Sequence, residues 1–313
     1  MVFNDELCHR LLTRHEITRS YSNMKSQRLC IRTFLVLLII HERCFINKQC
    51  LKKREVFYVD SKLFGTESGS DSVIDDICCM IGCTRPNLKV FANSHDEVIG
   101  LFSFRCDNSL FDCSLFALRI TFCDHIVDNF KNHRALFILL VEKNTVFTHL
   151  VKDNFHKEAR CIMVTGKGFG HRATKLFLKK LYYDLKLPVL TIVVDCNPSG
   201  LHIFFDYKYG WVRKSFDSRD LATPNIKWLG VRPSDIEKYE VHPRDIPLEG
   251  TSVSATNTFL KQQFVTSDKN WVSEIEKMLE IGKMINIENL SLKSSQYLSR
   301  EFLPKKLEAN DWI

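Results

Sequence analysis

Hydrophobic and polar residues follow two different patterns along this chain, and these patterns divide it into two parts. In the first part, residues 27–104, apolar positions recur with helical spacing, most clearly at Ile74, Ile77, Cys78 and Ile81. The pattern predicts three helices and then a β-hairpin, near residues 28–44, 49–59 and 72–82 for the helices and 88–91 and 98–104 for the hairpin. Three helices followed by a hairpin is the element order of a winged-helix domain.

The second part alternates short apolar runs with stretches typical of amphipathic helices. Strands are predicted at 136–141, 161–165 and 190–194, and each is followed by a predicted helix, at 144–156, 173–185 and 199–209. This alternation predicts a parallel sheet covered by helices. Residues 107–131 show no clear period and are predicted to connect the two parts, with room for one strand.

Two acidic residues stand where predicted strands of the second part end. Glu142 follows the first of these strands and Asp195 follows the third. In parallel sheets ligands bind at the carboxyl ends of the strands, so we expect the two carboxylates to converge although they are far apart in sequence. Paired carboxylate oxygens are suitable ligands for Mg²⁺. The sequence therefore predicts a magnesium site that contains Glu142 and Asp195.

A tyrosine in the first part has the surroundings that a nucleophile needs. If residues 54–58 are helical, Arg54 and Tyr58 lie on the same face, one turn apart. A phenol is mostly protonated at neutral pH and needs help to attack, and Arg54 could hold a phosphate or favour the phenolate. A tyrosine on a helix is usually a packing or surface residue. Only the combination of tyrosine, acid pair and basic chain indicates DNA cleavage by phosphoryl transfer to Tyr58.

The turn Thr165–His171 contains three glycines and Lys167. It is not a Walker A loop because no Gly-Lys-Ser/Thr ends it, and it departs from the dinucleotide-binding pattern because position 171 is His. Its backbone N–H groups could face a phosphate, with Lys167 as an added positive charge. A purely structural turn between strand and helix is an equally good interpretation.

Composition limits the remaining classes of protein. The chain has 313 residues, 45% hydrophobic residues and a net charge of +7, which permits but does not establish binding to nucleic acid. The apolar run at 34–40 is too short for a bilayer, so we expect a buried helix, no membrane partner and an intracellular protein. The twelve cysteines include no Cys-x-x-Cys pair, and the spacing of Cys106, Cys113, Cys123 and His125 fits no known zinc module.

Several segments, in a common order, resemble the A subunit of topoisomerase VI. The likeness is closer to its eukaryotic relative, the meiotic protein whose double-strand breaks start recombination. It extends over residues 28–313, and the segments that carry it are 54–64, 70–80, 141–143, 163–168, 195–200, 226–235 and 297–313. The last two segments point to the meiotic branch.

The resemblance implies a fold and an organisation. The expected fold is an α/β Toprim-type parallel-sheet domain plus an N-terminal winged-helix (CAP-like) domain. The expected segments are a variable one at 1–27, the winged-helix DNA-binding domain with the tyrosine at 28–105, a connection at 106–131, and the Toprim domain with a C-terminal helical extension at 132–313.

The resemblance also implies an activity. Such proteins cleave duplex DNA in the nucleus and leave a 5′-phosphotyrosyl enzyme and a free 3′-hydroxyl. They act as homodimers, in which the tyrosine of one protomer meets the Mg²⁺ pocket of the other, together with a partner similar to the topoisomerase VI B subunit. The expected catalytic residues here are Tyr58, Arg54 and Lys167, and the expected metal ligands are Glu142, Asp195 and Asn197.

Position 197 departs from the family pattern, which usually has a second Asp there. An amide oxygen can bind Mg²⁺ but brings no charge. Two alternatives therefore stay open. The chain could be a catalytically silent DNA-binding subunit, or a Toprim hydrolase in which Tyr58 is inert.

Overall fold

The computed structural model describes residues 24–92, 95–106, 109–120, 127–210, 221–241 and 246–313. The described residues form two compact units, which divide between residues 94 and 95. This division comes before residue 105, the predicted end of the first domain.

The first unit is mainly helical. Its longest helices, α1 and α4, pack their apolar faces together and bury Val36, Ile40, Ile74 and Ile77. Helix α4 begins at Thr66, whose hydroxyl oxygen accepts the Gly69 N–H, and it ends at Gly82, whose φ of 72° suits glycine. The helices of this unit are α1 Met24–Ile40, continued by a π-helical turn His41–Ile46, α2 Lys53–Val59, α3 Ser61–Phe64, α4 Glu67–Ile81 and a 3-10 turn Arg85–Leu88.

The hairpin predicted from residues 88–91 and 98–104 is wrong. Strand β2, Val90–Phe91, pairs in parallel with β1, Leu51–Lys52. Strand β3, Glu97–Gly100, belongs to the second unit. Val98 and Ile99 point to opposite faces of their strand and both are buried, as expected for a strand that is covered on both faces within the second unit.

The second unit contains a mixed sheet. Within the described residues its strand order is β11-β10-β8-β9-β3-β6, and the first four of these strands are parallel. The sheet continues with β3, which is antiparallel to β9, and with β6, which is antiparallel to β3. The bounds are β3 Glu97–Gly100, β6 Leu118–Arg119, β8 Phe137–Val141, β9 Cys161–Thr165, β10 Val189–Val193 and β11 Lys227–Gly230. The predicted parallel sheet is confirmed.

The register of this sheet positions the candidate site. Val141 of β8 lies opposite Thr165 of β9 and Val193 of β10, so the three strands end at the same edge. All five residues of β8 are buried, as expected for a strand covered by helices on both faces.

Residues 107–131 were expected to hold one strand, and this was too few. They contribute to β5 Ser109–Asp112, β6 and β7 Val127–Asn132. Strands β5 and β7 flank β4, Phe102–Cys106, in a separate antiparallel sheet. Phe104 and Phe111 stack across this sheet with ring centroids 5.4 Å apart, which explains why apolar residues occur here without a helical period.

Helices cover the mixed sheet and follow it towards the carboxyl end of the chain. Lys306 and Asp235, both fully buried, form an ion pair that fixes the last helix to this unit. The helices are α5 Asn144–Lys152, α6 Phe155–Glu158, α7 Arg172–Leu185, α8 Pro198–Tyr209, α9 Asp235–Lys238, α10 Thr251–Leu260, α11 Gln263–Thr266, α12 Lys269–Ile281, a 3-10 helix Ile287–Leu292, a π-helical turn Leu298–Phe302 and α13 Leu303–Glu308. No helix in the described part of the chain combines the length and the apolar character needed to cross a bilayer.

Candidate active site

Glu142 and Asp195 lie next to each other at the carboxyl edge of the parallel strands. Glu142 directly follows β8 and its N–H donates to the Val193 carbonyl at 3.1 Å. The Asp195 N–H donates to Oε2 of Glu142 at 2.7 Å. The convergence expected from the sequence is therefore present in the structure. The role of the two carboxylates as metal ligands stays a prediction.

Burial changes the proton affinity of both carboxyl groups. It raises the pKa of Glu142 to about 7, and the nearby charge of Asp195 acts in the same direction. Burial also raises the pKa of Asp195, although hydrogen bonds from Lys143 and the Ile287 backbone oppose it. Two buried carboxylates this close to each other favour a cation between or beside them.

Two further residues, Lys143 and Glu288, complete the charged surroundings of Asp195. Lys143 Nζ lies 2.8 Å from Asp195 Oδ2 and 2.6 Å from Glu288 Oε2. The other Asp195 oxygen, Oδ1, accepts the Ile287 N–H at 2.8 Å. Burial acts to raise the pKa of Glu288, but its hydrogen bond with Lys143 prevails and lowers the pKa.

Neither of these two residues was predicted from the sequence. Lys143 was visible as the neighbour of Glu142 but had no assigned partner. Glu288 follows Lys143 by 145 positions and lies in a 3-10 helix, whose short irregular pattern gives no signal in the sequence.

The glycine-rich turn is attached to the acidic site through its backbone. Gly168 has a φ of 105°, and its N–H donates to the Glu142 carbonyl at 2.9 Å. Lys167, also at positive φ, pairs with Glu97 at 3.0 Å between Nζ and Oε1. Lys167 therefore directly precedes the residue whose backbone is hydrogen-bonded to Glu142. Its role towards a phosphate stays a prediction.

Tyr58 lies on the exposed side of α2 in the first unit. Its side chain is 66% exposed, whereas Val56 in the same helix is fully buried and anchors it. Arg54, one turn before Tyr58, is exposed and contacts Glu67 at 3.3 Å. The predicted helical placement of Arg54 and Tyr58 is confirmed. The exposed Tyr58 phenol is accessible to another macromolecule.

Comparisons with known proteins decide the family. A family model for the Toprim domain of the topoisomerase 6 A subunit and Spo11 matches residues 137–307, and one described as type IIB DNA topoisomerase matches residues 28–90. The chain belongs to the family of topoisomerase 6 A subunits and Spo11. The Toprim match covers β8, β9 and β10 and includes both acidic residues of the site.

Both branches of this type IIB topoisomerase family are present among similar proteins. The A3 subunit of DNA topoisomerase 6 from Oryza sativa subsp. indica is 39% identical, over 100% of this chain and 71% of that protein. The A subunit of DNA topoisomerase 6 from Arabidopsis thaliana is 38% identical, over 94% of this chain and 69% of that protein. Meiotic recombination protein SPO11 from Mus musculus is 37% identical, over 83% of this chain and 67% of that protein.

Asn197 has a structural task in this member of the topoisomerase 6 A/Spo11 family. Its Oδ1 accepts the Gly200 N–H at 2.9 Å and caps helix α8, whose first residue is Pro198. A Cβ atom at position 200 would lie 2.1 Å from the Asp195 carbonyl oxygen, so glycine is needed there. The cap holds the segment that carries Asp195. Whether Asn197 also binds metal stays a prediction.

The donor atoms at this edge of the sheet fit Mg²⁺. Glu142 and Asp195 supply only oxygen ligands, and Mg²⁺ commonly uses one or two carboxylates together with water and substrate phosphate. In the described ranges no group of three or more His, Cys, Asp or Glu side chains is arranged to hold a metal by itself. Of the four residues considered for zinc, Cys106 and Cys113 lie in the second unit, and Cys123 and His125 lie outside the described residues.

Proposed function

We propose that this chain is a DNA-cleaving transesterase that makes double-strand breaks through a 5′-phosphotyrosyl intermediate and so initiates meiotic recombination. The observation that carries the proposal is the direct hydrogen bond between Asp195 and Glu142 at the carboxyl edge of the sheet. The family membership and relatives named meiotic recombination protein SPO11 support the biological process.

In this proposal Tyr58 is the nucleophile. Its phenolic oxygen forms a bond to the scissile phosphorus, the bond from phosphorus to the 3′-oxygen breaks, and the 3′-oxygen takes up a proton while the phenol loses one. One phosphodiester is exchanged for another, so cleavage needs no external energy. Arg54, one helical turn before Tyr58, contacts the scissile phosphate and limits its rotation.

The acidic edge of the sheet completes the proposed active site. Glu142, Asp195 and Asn197 would hold the Mg²⁺ ion, which supplies positive charge to the phosphoryl oxygens when bound. Lys167, on the turn fixed to the Glu142 backbone, contributes a positive charge to the DNA backbone.

We also propose the organisation that the family resemblance implies. The helical unit, with its parallel strand pair β1–β2, is the DNA-binding winged-helix (CAP-like) domain, and residues 132–313 of the second unit are the Toprim domain with its C-terminal helical extension. The chain acts on duplex DNA in the nucleus as a homodimer, with Tyr58 of one protomer at the acidic edge of its partner. A topoisomerase VI B-subunit-like protein assembles with it.

The test is to trap the covalent adduct. The full chain is combined with a B-type ATPase subunit, Mg²⁺ and end-labelled duplex DNA, and the reaction is stopped with a denaturant. Protein bonded to DNA 5′ ends is expected, and Tyr58→Phe should lower its yield at least about 1000-fold because the nucleophile is gone. Tyr183→Phe, at an exposed tyrosine of α7, is the matched control and should retain the adduct.

Three results would contradict this proposal. An adduct that persists in Tyr58→Phe would assign the chemistry to another residue. Breaks with free 5′ phosphates and no adduct would favour a Toprim hydrolase. A chain that binds DNA without any breakage would favour a silent subunit.

A second candidate function is that of the A-type component in a topoisomerase VI-like enzyme, which reseals its breaks. The observation in its favour is that the two plant topoisomerase 6 proteins match 100% and 94% of this chain, against 83% for mouse SPO11. Both functions use the same break, so they differ only in resealing. Supercoiled plasmid with ATP and a B-type subunit separates them: relaxed closed circles support the topoisomerase, and accumulated linear adducts support the break-forming protein.

A further inference from the structure

The side chain of Asp195 has both oxygens occupied by protein groups. Oδ1 accepts the Ile287 N–H at 2.8 Å, and Oδ2 lies 2.8 Å from the ammonium of Lys143. A divalent cation that binds Oδ2 would therefore meet a positive charge already beside that oxygen. Two cations this close repel each other strongly in a half-buried site.

Lys143 has a second carboxylate within reach. Its ammonium lies 2.6 Å from Oε2 of Glu288, and Glu288 also accepts a weak hydrogen bond from Thr145 at 3.4 Å. The Glu288 side chain is 40% exposed and that of Asp195 is 7% exposed. The Lys143 ammonium can therefore keep its contact with the more exposed Glu288 after its contact with Asp195 is broken.

From this geometry we propose that Lys143 is an internal counter-ion that competes with the divalent cation for Asp195, and that Glu288 holds Lys143 when Asp195 is given up. This inference depends on the proposed function, because it assigns Lys143 and Glu288 to the control of the same metal site. Both are positioning residues, since they act through Asp195.

A structural interpretation of the same pair is that it fixes the 3-10 helix Ile287–Leu292 to the sheet edge. The Ile287 N–H bond to Asp195 already makes that connection without Lys143 or Glu288. The two interpretations differ in what they predict for metal affinity. If Lys143 competes with the cation, substitutions at positions 143 and 288 should change the metal affinity in opposite directions. If the pair only attaches the 3-10 helix, both substitutions should lower the stability of the protein and leave the metal affinity unchanged.

The experiment measures Mg²⁺ affinity by calorimetry and Mn²⁺ affinity by electron paramagnetic resonance, on the full metal-free chain in physiological salt. Lys143→Met removes the competing charge and should lower Kd at least about fivefold, since contacting charges couple by this amount or more. Glu288→Gln removes one of the two carboxylates that Lys143 contacts and leaves Asp195 as the other. Lys143 should then stay on Asp195, and the Kd for the cation should rise at least about threefold. In the Lys143→Met background the effect of Glu288→Gln should shrink, because no ammonium remains for Glu288 to hold.

Matched charge removals elsewhere in the same unit serve as controls. Lys152→Met lies at the other end of α5, and Glu276→Gln lies on the exposed side of α12. Each should change Kd less than about twofold, because both side chains are exposed and surface charges are strongly screened in this salt. Thermal unfolding without metal checks that every variant is folded. Lys143→Gln replaces Lys143→Met if the latter does not unfold cooperatively.

The outcomes separate this inference from the proposed function. Equal affinity in the unsubstituted chain and Lys143→Met, or a Glu288→Gln effect of the same size in both backgrounds, would overturn the exchange and leave the metal site in place. Absence of cation binding in every variant would remove the metal site itself, and the exchange with it. Binding that occurs only after Lys143→Met would support the competition directly.

Discussion

Replacement of Glu142 by glutamine should stabilise the metal-free protein and at the same time abolish DNA cleavage. Glu142 is only 8% exposed, and burial together with the charge of Asp195 raises its pKa from 4.5 to about 7. Glutamine keeps an oxygen that can accept the Asp195 N–H, so the hydrogen bond between the two strand ends can survive. What the substitution removes is a buried negative charge.

The size of the effect follows from the shift in pKa. Each pKa unit corresponds to about 1.4 kcal/mol, so a rise from 4.5 to about 7 corresponds to about 3 kcal/mol. Because the folded pKa is the higher one, the folded state holds an extra proton between these values. The free energy of unfolding of the natural chain therefore falls as pH rises from 4.5 to about 7 and stays lower above that. Glu142→Gln should recover up to about 3 kcal/mol at pH 8 and almost nothing at pH 4.

The assay is urea unfolding in the presence of a chelator at pH 4, 6 and 8. Glu276→Gln, which removes an exposed carboxylate from α12, is the control and should change the free energy of unfolding by less than about 0.5 kcal/mol. Added Mg²⁺ should stabilise the natural chain through binding to the folded state, and Glu142→Gln much less. A variant that is less stable than the natural chain at pH 8, or that differs from it equally at every pH, would refute the reasoning.

Three further predictions address the surroundings of the site. Gly170→Ala should lower the free energy of unfolding by about 1–3 kcal/mol, because its Cβ would lie 1.9 Å from the hydroxyl oxygen of buried Tyr207. Tyr207→Phe removes that hydroxyl, so in the Gly170→Ala background it should recover part of the loss measured by urea unfolding. Asn197→Ala should lower the free energy of unfolding by about 1 kcal/mol because the cap of α8 is lost, whereas Asn197→Asp should keep the cap. Asn197→Asp should also bind Mg²⁺ more tightly in calorimetry, and an unchanged affinity would remove position 197 from the proposed metal site. Burial acts to raise the pKa of Asp96, but hydrogen bonds from His171 and Thr174 prevail and lower it, so Asp96 stabilises the fold above its unfolded pKa and this contribution is lost as pH falls through the folded value. Asp96→Asn should therefore destabilise the protein at pH 7 and much less at pH 2, and an equal loss at both would show that charge is not the cause.

The parts of the site that were predictable from sequence are those set by strand ends. The apolar runs of β8, β9 and β10 are short, almost entirely buried and followed by helical periods, so their succession along the chain and their parallel direction could be inferred without a structure. Glu142 and Asp195 follow such runs closely. Their convergence is a consequence of parallel pairing and not of any local motif.

The errors have a different physical origin. The run Val98–Phe104 is as apolar as a hairpin strand, but its two halves join different sheets, β3 with β9 and β4 with β5 and β7. Periodicity reports that a strand is buried and does not report its partner. Glu288 was missed for the same reason, since only long-range packing brings its 3-10 helix to Asp195.

The arrangement around Asp195 explains how the carboxylates of Glu142 and Asp195 can both be buried in the protein without a bound cation. An isolated pair of buried carboxylates would cost several kcal/mol, and here the cost is offset by the Ile287 N–H, by the Asp195 N–H given to Glu142 and by the Lys143 ammonium. Two of these three groups are backbone N–H groups, one at the first residue of the 3-10 helix Ile287–Leu292 and one just after β10, and neither depends on a side-chain rotamer. In the proposed exchange only the Lys143 side chain has to move, so the site would be nearly preorganised for a cation and its affinity would depend on how easily Lys143 leaves Asp195 for Glu288.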